Sequence, residues 1–563
     1  MHSQYIYEPL SYDHEYCQPI RLIRILPGVS DELILCELFK TYLTTSEGRQ
    51  KRESVEGTLQ ETPENLEYDA LSYAWGDAQD RVAIHVNGKT LLVTQNLWSF
   101  LRHQRDTFAP TDNSDRTFWI DAICIDQMNS VERSKQVAFM ADIYKEAKLV
   151  LAWLGEEDNA SRMAFDFLLC PDTYDSSVLE YVEDALFDTF DGGYWDRLWI
   201  VQELHHARRI IVRCGPRELD WKLIRPRAHP GPLARITEIE YYRESRNPQH
   251  QSKWDEHSQA LAVLETYGIK GCTDPRDSVF GLRSLTYDLM SVIPDYSMSA
   301  ADVYTAAARA IISSSGSILL LEKTNKRKIS GTEPPRIGPR TDDLPSWVPD
   351  WKVCEYGSLS WLLGRNDLNA GHNVLKLFPH DNPRVLVLGG IIVDTVLRAT
   401  APYNHPYCES WDWRKIAQQL HCWLPECNIG FIQDCLFNPA PLRAGRVKRL
   451  DIGRLLVHYF QLIGYQGTFC KNDIDLPYSH ELEGNIVLTT KTGYAGIAFG
   501  EPKMDDILFV AYGSRYPFII RRSEAAEESY KLIGCAYIQG LMNGESIELK
   551  AAGKAKERTI FLV

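Results

Sequence analysis

Glu203 and Trp199 stand four residues apart in Trp199-Ile200-Val201-Gln202-Glu203-Leu204, so on a helix they share one face. A carboxylate beside an indole in a cleft loses part of its hydration, and that raises its pKa. A carboxylate so placed can stabilise the oxocarbenium-like transition state of a glycosyl transfer. The competing reading is an ion pair with Arg197 or Arg208 that merely holds the helix. A second group, Tyr73, Trp75, Gly76 and Asp77, lies where a strand-like run stops. Gly76 would let backbone approach a phosphate, and either aromatic ring could stack on a flat ligand. Alternatively, both rings belong to the core and Gly76-Asp77 is a turn.

The positioning elements are legible around these residues. Tyr68 to Trp75 is strand-like and breaks at Gly76-Asp77. In open α/β sheets ligands bind at the carboxyl edge of the strands, which is where Tyr73 to Asp77 would fall. Arg81–Val86, Asn87-Gly88 and Lys89–Val93 form a hairpin signal, followed by a short helix over 95–104. Thr117 to Ile125 reads as a strand buried on both faces. Asn129 and Glu132 can form a capping box for a helix reaching Ala147, and Leu149 to Leu154 is a further buried strand. Strand, crossover helix and strand imply a parallel sheet. Helices are expected over 160–169, 179–187 and 195–208, and a strand over 210–214.

Asp121 and Asp126 read as structural carboxylates, Cys124 as a buried thiol, and His205 and His206 as surface residues. His421, Cys422, Cys427 and Cys435 lack the close pairs that zinc usually requires, so buried thiols are the preferred reading. Metal ligands are therefore not assigned.

At 563 residues the chain exceeds what one hydrophobic core supports. Its composition, 44% hydrophobic and 24% charged, is that of a globular protein. A net charge of −15 argues against nucleic acid as a partner, because phosphate contacts need clustered Lys and Arg. No apolar run approaches the ~20 residues that span a bilayer. The opening Met1-His2-Ser3-Gln4 has no signal-peptide pattern, and the 13 cysteines lack framework spacing. A cytoplasmic location is expected. The P-loop, G-x-G-x-x-G, H-E-x-x-H and G-x-S-x-G motifs are all missing.

Four blocks in order resemble the fungal heterokaryon-incompatibility (HET) domain: Tyr68–Asp77, Phe118–Gln127, the Glu132-to-Gly155 set, and Arg197–Leu204. Cys272–Asp277, Pro294–Ser297, Leu344–Trp351 and Tyr537–Glu545 resemble the region that accompanies it. The resemblance implies non-self recognition between fused hyphae, ending in programmed cell death, with self-association or another incompatibility protein as partner. The HET domain is in turn distantly similar to Toll/interleukin receptor (TIR) domains, several of which cleave NAD at the nicotinamide–ribose bond. That similarity implies NAD as a substrate rather than a tightly bound cofactor. It makes Glu203 the catalytic carboxylate, with Tyr73, Trp75, Gly76, Asp77 and Trp199 around the nucleotide.

The expected fold is α/β: a parallel-sheet, TIR-like HET domain over 68–221, then a helical region over 222–322 and a β-rich domain over 344–563. Residues 1–67 would hold a strand and a polar loop preceding or joining the HET domain, and 323–343 a linker. Two rival readings stay open: a docking module that signals death without catalysis, and a silent regulatory relative.

Overall fold

The computed structural model describes residues 3–12, 17–28, 33–44, 66–106, 116–224, 231, 233–244, 259–268, 270–324, 341–352, 369–371, 374–399, 486–538 apart from 525 and 527, and 540–563. The polar stretch 44–65 beyond Thr44, most of the 323–343 linker and the His421–Cys435 cluster lie outside them. Two compact units result: Met1–Asp255 with Lys270–Ser299, and Glu256–Ile269 with Ala300–Val563.

Unit 1 is built on a nine-stranded sheet in the order β5-β4-β2-β1-β6-β3-β7-β8-β9. The strands are β1 Gln18–Ile25, β2 Leu35–Leu43, β3 Asp69–Tyr73, β4 Arg81–Val86, β5 Lys89–Thr94, β6 Thr117–Trp119, β7 Val150–Trp153, β8 Ile210–Cys214 and β9 Arg217–Asp220. The sheet is mixed rather than wholly parallel. Only β6-β3-β7-β8 run parallel in succession. β1 closes one side antiparallel to β6, and β9 the other antiparallel to β8. The antiparallel additions need no crossover helix, so the βαβ periodicity does not announce them.

Within the parallel core the chain runs from β3 outward to β6, then back past β3 to β7 and on to β8. The helices are α1 Gln95–Asp106, α2 Asp121–Cys124, α3 Ser130–Glu146, α4 Asn159–Leu169, α5 Leu179–Phe190 and α6 Trp199–His206. That order creates a topological switch point at the carboxyl end of β3, where α/β sheets open a crevice. Buried Leu71, Ile123, Ile143, Trp153 and Ile200 belong to the core that the sheet and its helices share.

Three local expectations are corrected. The apolar run 117–125 is a strand only to Trp119; Asp121–Cys124 turn into a helix, with Cys124 N donating to Ile120 O at 2.7 Å. An apolar stretch buried on every side carries no periodicity to separate the two states. The expected helix 195–208 is a 3-10 turn over Gly193–Asp196, an extended Arg197, and then α6. His205 is buried, not a surface residue.

The Asn87-Gly88 turn is formed with φ of 52° and 74°, as a type I′ hairpin requires. A Cβ on Gly88 would touch nothing within 4 Å, so substitution acts through the backbone alone. Gly88→Ala is expected to cost about 1 kcal/mol, read as a lower midpoint of thermal unfolding. An unchanged midpoint would contradict the turn assignment.

Unit 2 carries the long helix Ala300–Ser315 and a sheet of β10 Leu377–Phe378, β11 Leu386–Ala399, β12 Ile486–Thr490, β13 Ala495–Ala498, β14 Ile507–Ala511, β15 Phe518–Arg522, β16 Ser529–Ile538 and β17 Lys556–Leu562. Strand β11 pairs with both β12 and β14, so the path β11-β12-β13-β16-β15-β14 returns to its start. Closure removes exposed strand edges. A buried cluster including Leu488, Leu508, Ile519 and Ile538 fills the interior. The Arg515–Glu322 pair at 2.8 Å fastens the segment after the long helix to this barrel.

Candidate active site at the carboxyl end of β3

Strand β3 reads Asp69-Ala70-Leu71-Ser72-Tyr73, and its one interior hydroxyl, Ser72, is fully buried. A buried hydroxyl must find partners. Ser72 Oγ donates to Glu203 Oε2 in a short hydrogen bond, and Tyr194 Oη lies 2.7 Å from Ser72 Oγ. A serine has one proton, so while it serves an ionised Glu203, Tyr194 donates to Ser72. Glu203 itself is 1% exposed. Burial pushes its carboxyl up to about 7, against the pull of Arg197 and hydrogen bonds from Ser72 and Tyr144, with Asp121 pushing the same way as burial.

Arg197 enters because the break between the 3-10 turn and α6 leaves it extended. Its Nη1 donates to the Tyr73 carbonyl at the end of β3. The guanidinium acts on both Glu203 and Asp121. Asp121, just after β6, accepts Trp75 Nε1 at 2.9 Å and Ala122 N at 2.7 Å. Burial raises its pKa, with Arg197 opposing. The Tyr73 ring is buried, and its hydroxyl has no partner at full hydrogen-bond geometry while Asp121 acts on it. Two acids thus share one guanidinium, so the ionised cluster favours holding one proton near neutrality.

The rim is formed by Trp75, 39% exposed, with the exposed Gly76 and Asp77. Gly76 sits at φ +78°, and a Cβ there would meet Asn96 Cβ at an ordinary 3.6 Å, so backbone conformation rather than space selects glycine. Asp77 Oδ1 accepts Gln79 N at 2.8 Å, which makes it a turn residue. Asn96 of α1 ties the edge together: its Nδ2 donates to Ala74 O at 2.6 Å, and its Oδ1 accepts Trp153 Nε1 at 2.9 Å.

The fold therefore brings Glu203, Tyr73 and Trp75 into one neighbourhood with Asp121 and Arg197. Trp199 engages a different neighbour: its Nε1 donates to Asp277 Oδ2 at 3.2 Å. Spacing placed it with Glu203 on one helical face, yet Glu203 turns to β3. Ser72, Tyr194, Arg197 and Asn96 were not singled out as site residues from the sequence. Ser72 had a signal, as a lone hydroxyl inside an apolar strand. The others are joined to the site only through long-range contacts. Among the described residues no group of His, Cys, Asp and Glu is arranged to hold a metal ion.

A family model described as "Heterokaryon incompatibility protein (HET)" matches residues 68–203. A second, "Het-6 beta-barrel domain", matches residues 476–563. The chain carries a HET domain over residues 68–203. It is similar to "Heterokaryon incompatibility protein 6, OR allele" of Neurospora crassa, 27% identical across 85% of this chain and 89% of the relative. No solved structure matches significantly. The HET match ends on Glu203, and it holds Ser72, Tyr73, Trp75, Asp121 and Arg197. Strands β1, β2, β8 and β9 lie outside it but complete the sheet. The barrel match likewise omits β11, the strand that closes the barrel. Among the described residues no helix is long and apolar enough to cross a membrane.

Proposed function

We propose that this HET-domain chain acts in heterokaryon incompatibility, and that unit 1 executes cell death by hydrolysing the nicotinamide–ribose bond of NAD with Glu203. The incompatibility role is supported by the two family matches and by the relative's name. The chemical reading is carried by one observation: a buried carboxyl held near neutrality, beside a guanidinium and a second acid, at the switch point of an α/β sheet.

In this reading the ionised Glu203 accepts hydrogen bonds from the ribose hydroxyls while positive charge develops at the anomeric carbon. The carbon–nitrogen bond breaks and its electron pair leaves with neutral nicotinamide, so no general acid is required. Water adds to the anomeric carbon and releases one proton, leaving ADP-ribose. Trp75 stacks on a ring of the nucleotide, and Arg197 pairs with a phosphate oxygen. Glu203 is 1% exposed, so substrate reaches it only after the rim opens. Self-association that opens the rim would make activity conditional, as a death effector needs.

One observation favours the docking module: Glu203 already has hydrogen-bond partners inside the protein. The two readings separate in cells induced to express the full chain. The NAD pool is expected to fall before viability does, and both are expected to stay intact with Glu203→Gln. Death with an undiminished NAD pool would refute the enzyme and leave the docking reading.

A further inference from the structure

Cys272–Asp277 and Pro294–Ser297 lie outside the HET match, yet they fold with unit 1. Contacts from Lys270, Gly271, Asp277 and Ser284 run along α6 and its approach. Lys270 Nζ donates to Trp195 O at 2.7 Å. Gly271 brackets Arg197: its N donates to Asp196 O at 2.7 Å, and its O accepts Leu198 N at 3.1 Å. Asp277 then takes Trp199 Nε1 at 3.2 Å, and Ser284 Oγ reaches Gln202 Oε1 at 2.8 Å and His206 Nε2 at 2.9 Å. Gln202 and His206 flank Glu203 on the same helix.

The segment is stiffened and anchored independently of α6. Asp277 Oδ1 accepts Tyr296 Oη at 2.6 Å, and Arg276 holds Tyr296 O at 2.6 Å and Met298 O at 3.0 Å. Arg133 of α3 lies over the Tyr296 ring at 3.9 Å, Tyr296 N donates to Ser134 Oγ at 3.1 Å, and Arg283 Nη1 donates to Ala138 O at 3.2 Å. Glu203 and Arg197 are thus set by β3 on one side and by this segment on the other. We infer that residues 270–296 are a positioning clamp for the catalytic helix, with Asp277 its central positioning residue and Trp199 the residue it grips. This rests on the reading of Glu203 given above. It assigns Trp199 to placing the helix rather than to touching the nucleotide. The chain enters the clamp from unit 2 at Lys270 and passes from it into the helix Ala300–Ser315 of unit 2, so the clamp holds two of the three covalent connections between the units.

The test uses the full chain, wild type against Asp277→Ala and Trp199→Phe, by amide hydrogen exchange together with nicotinamide release. A lost hydrogen bond to a carboxylate should speed exchange of the α6 amides about tenfold or more, with β3 and β7 amides unchanged. The rate constant kcat should fall with little change in KM. Trp199→Phe removes the indole donor with its pyrrole ring, leaves Asp277 and its bond from Tyr296 in place, and serves if Asp277→Ala does not fold. Unchanged α6 exchange, equal acceleration throughout unit 1, or a loosened α6 with full activity would each overturn the clamp. A loosened α6 in a chain whose wild type releases no nicotinamide would sustain the clamp as a brace on α6 and remove the enzymatic reading.

Discussion

Glu203→Gln is expected to abolish nicotinamide release and at the same time to make unit 1 more stable at pH 8. The two effects have one cause. The folded carboxyl titrates at about 7 against 4.5 ordinarily, chiefly through burial. A raised folded pKa means that the native state binds more protons between those values. The contribution to stability is therefore fully present below 4.5 and is lost as the pH rises through about 7. Above that, the buried charge costs on the order of 3 kcal/mol. Gln keeps the shape and can still meet Ser72 and Tyr144, but it never ionises, so that cost disappears. The loss of the charge should lower kcat by roughly a hundredfold or more, as for other single groups that stabilise a transition-state charge. Chemical denaturation at pH 5 and pH 8 checks the stability half. The variant should show a shallower loss between them, keeping the part contributed by Asp277, whose carboxyl burial pushes up to about 6. A variant that is less stable at pH 8, or equally steep in pH, would mean that Glu203 is an ordinary structural carboxylate.

The second large effect is structural and lies at the other side of the sheet. Arg21 of β1 and Glu132 of α3 form a bidentate pair at 2.6 and 3.0 Å, 2% and 4% exposed. Arg21 also donates to Cys124 O at 2.9 Å and Glu8 O at 2.7 Å, and Glu132 accepts Asp126 N at 2.8 Å. The pair thus ties β1, α3 and the 121–126 turn that carries Asp121. Removing one partner strands a buried charge, so Arg21→Ala or Glu132→Ala should each lose about 3–5 kcal/mol. The double replacement Arg21→Met with Glu132→Leu strands neither charge and should recover much of the loss. A double-mutant cycle with the matching single variants Arg21→Met and Glu132→Leu, from denaturation midpoints, measures it. Single variants within about 1 kcal/mol of wild type would contradict a buried, coupled pair.

How far the sequence carried differs between elements for physical reasons. The Asn87-Gly88 hairpin, the helix capped at Asn129 and the strand Val150–Trp153 are written in local chemistry, and they form as read. Even there the cap is only half a capping box: Asn129 Oδ1 accepts Glu132 N at 3.1 Å, but the Glu132 side chain goes to Arg21. That exchange depends on a partner 111 residues away in the chain, which no local pattern encodes. The turn at Asp121 and the break at Arg197 have the same character. Each is set by what packs around it, and each decides where a charged group points. Glu203, Tyr73 and Trp75 are legible as candidates because they sit on strong local elements or, for Trp75, just past the end of one. The guanidinium, the second acid and the buried serine beside them come from Arg197, Asp121 and Ser72. They become neighbours only when β6 and β3 pair and α6 packs against β3.

Nicotinamide release from the purified, concentrated full chain, across pH 5 to 9 with Glu203→Gln alongside, decides whether Glu203 is catalytic. Wild-type release that climbs with an apparent pKa near 7, and none from the variant, is the predicted result. Equal release from both proteins, or none from wild type under conditions that drive self-association, would contradict it.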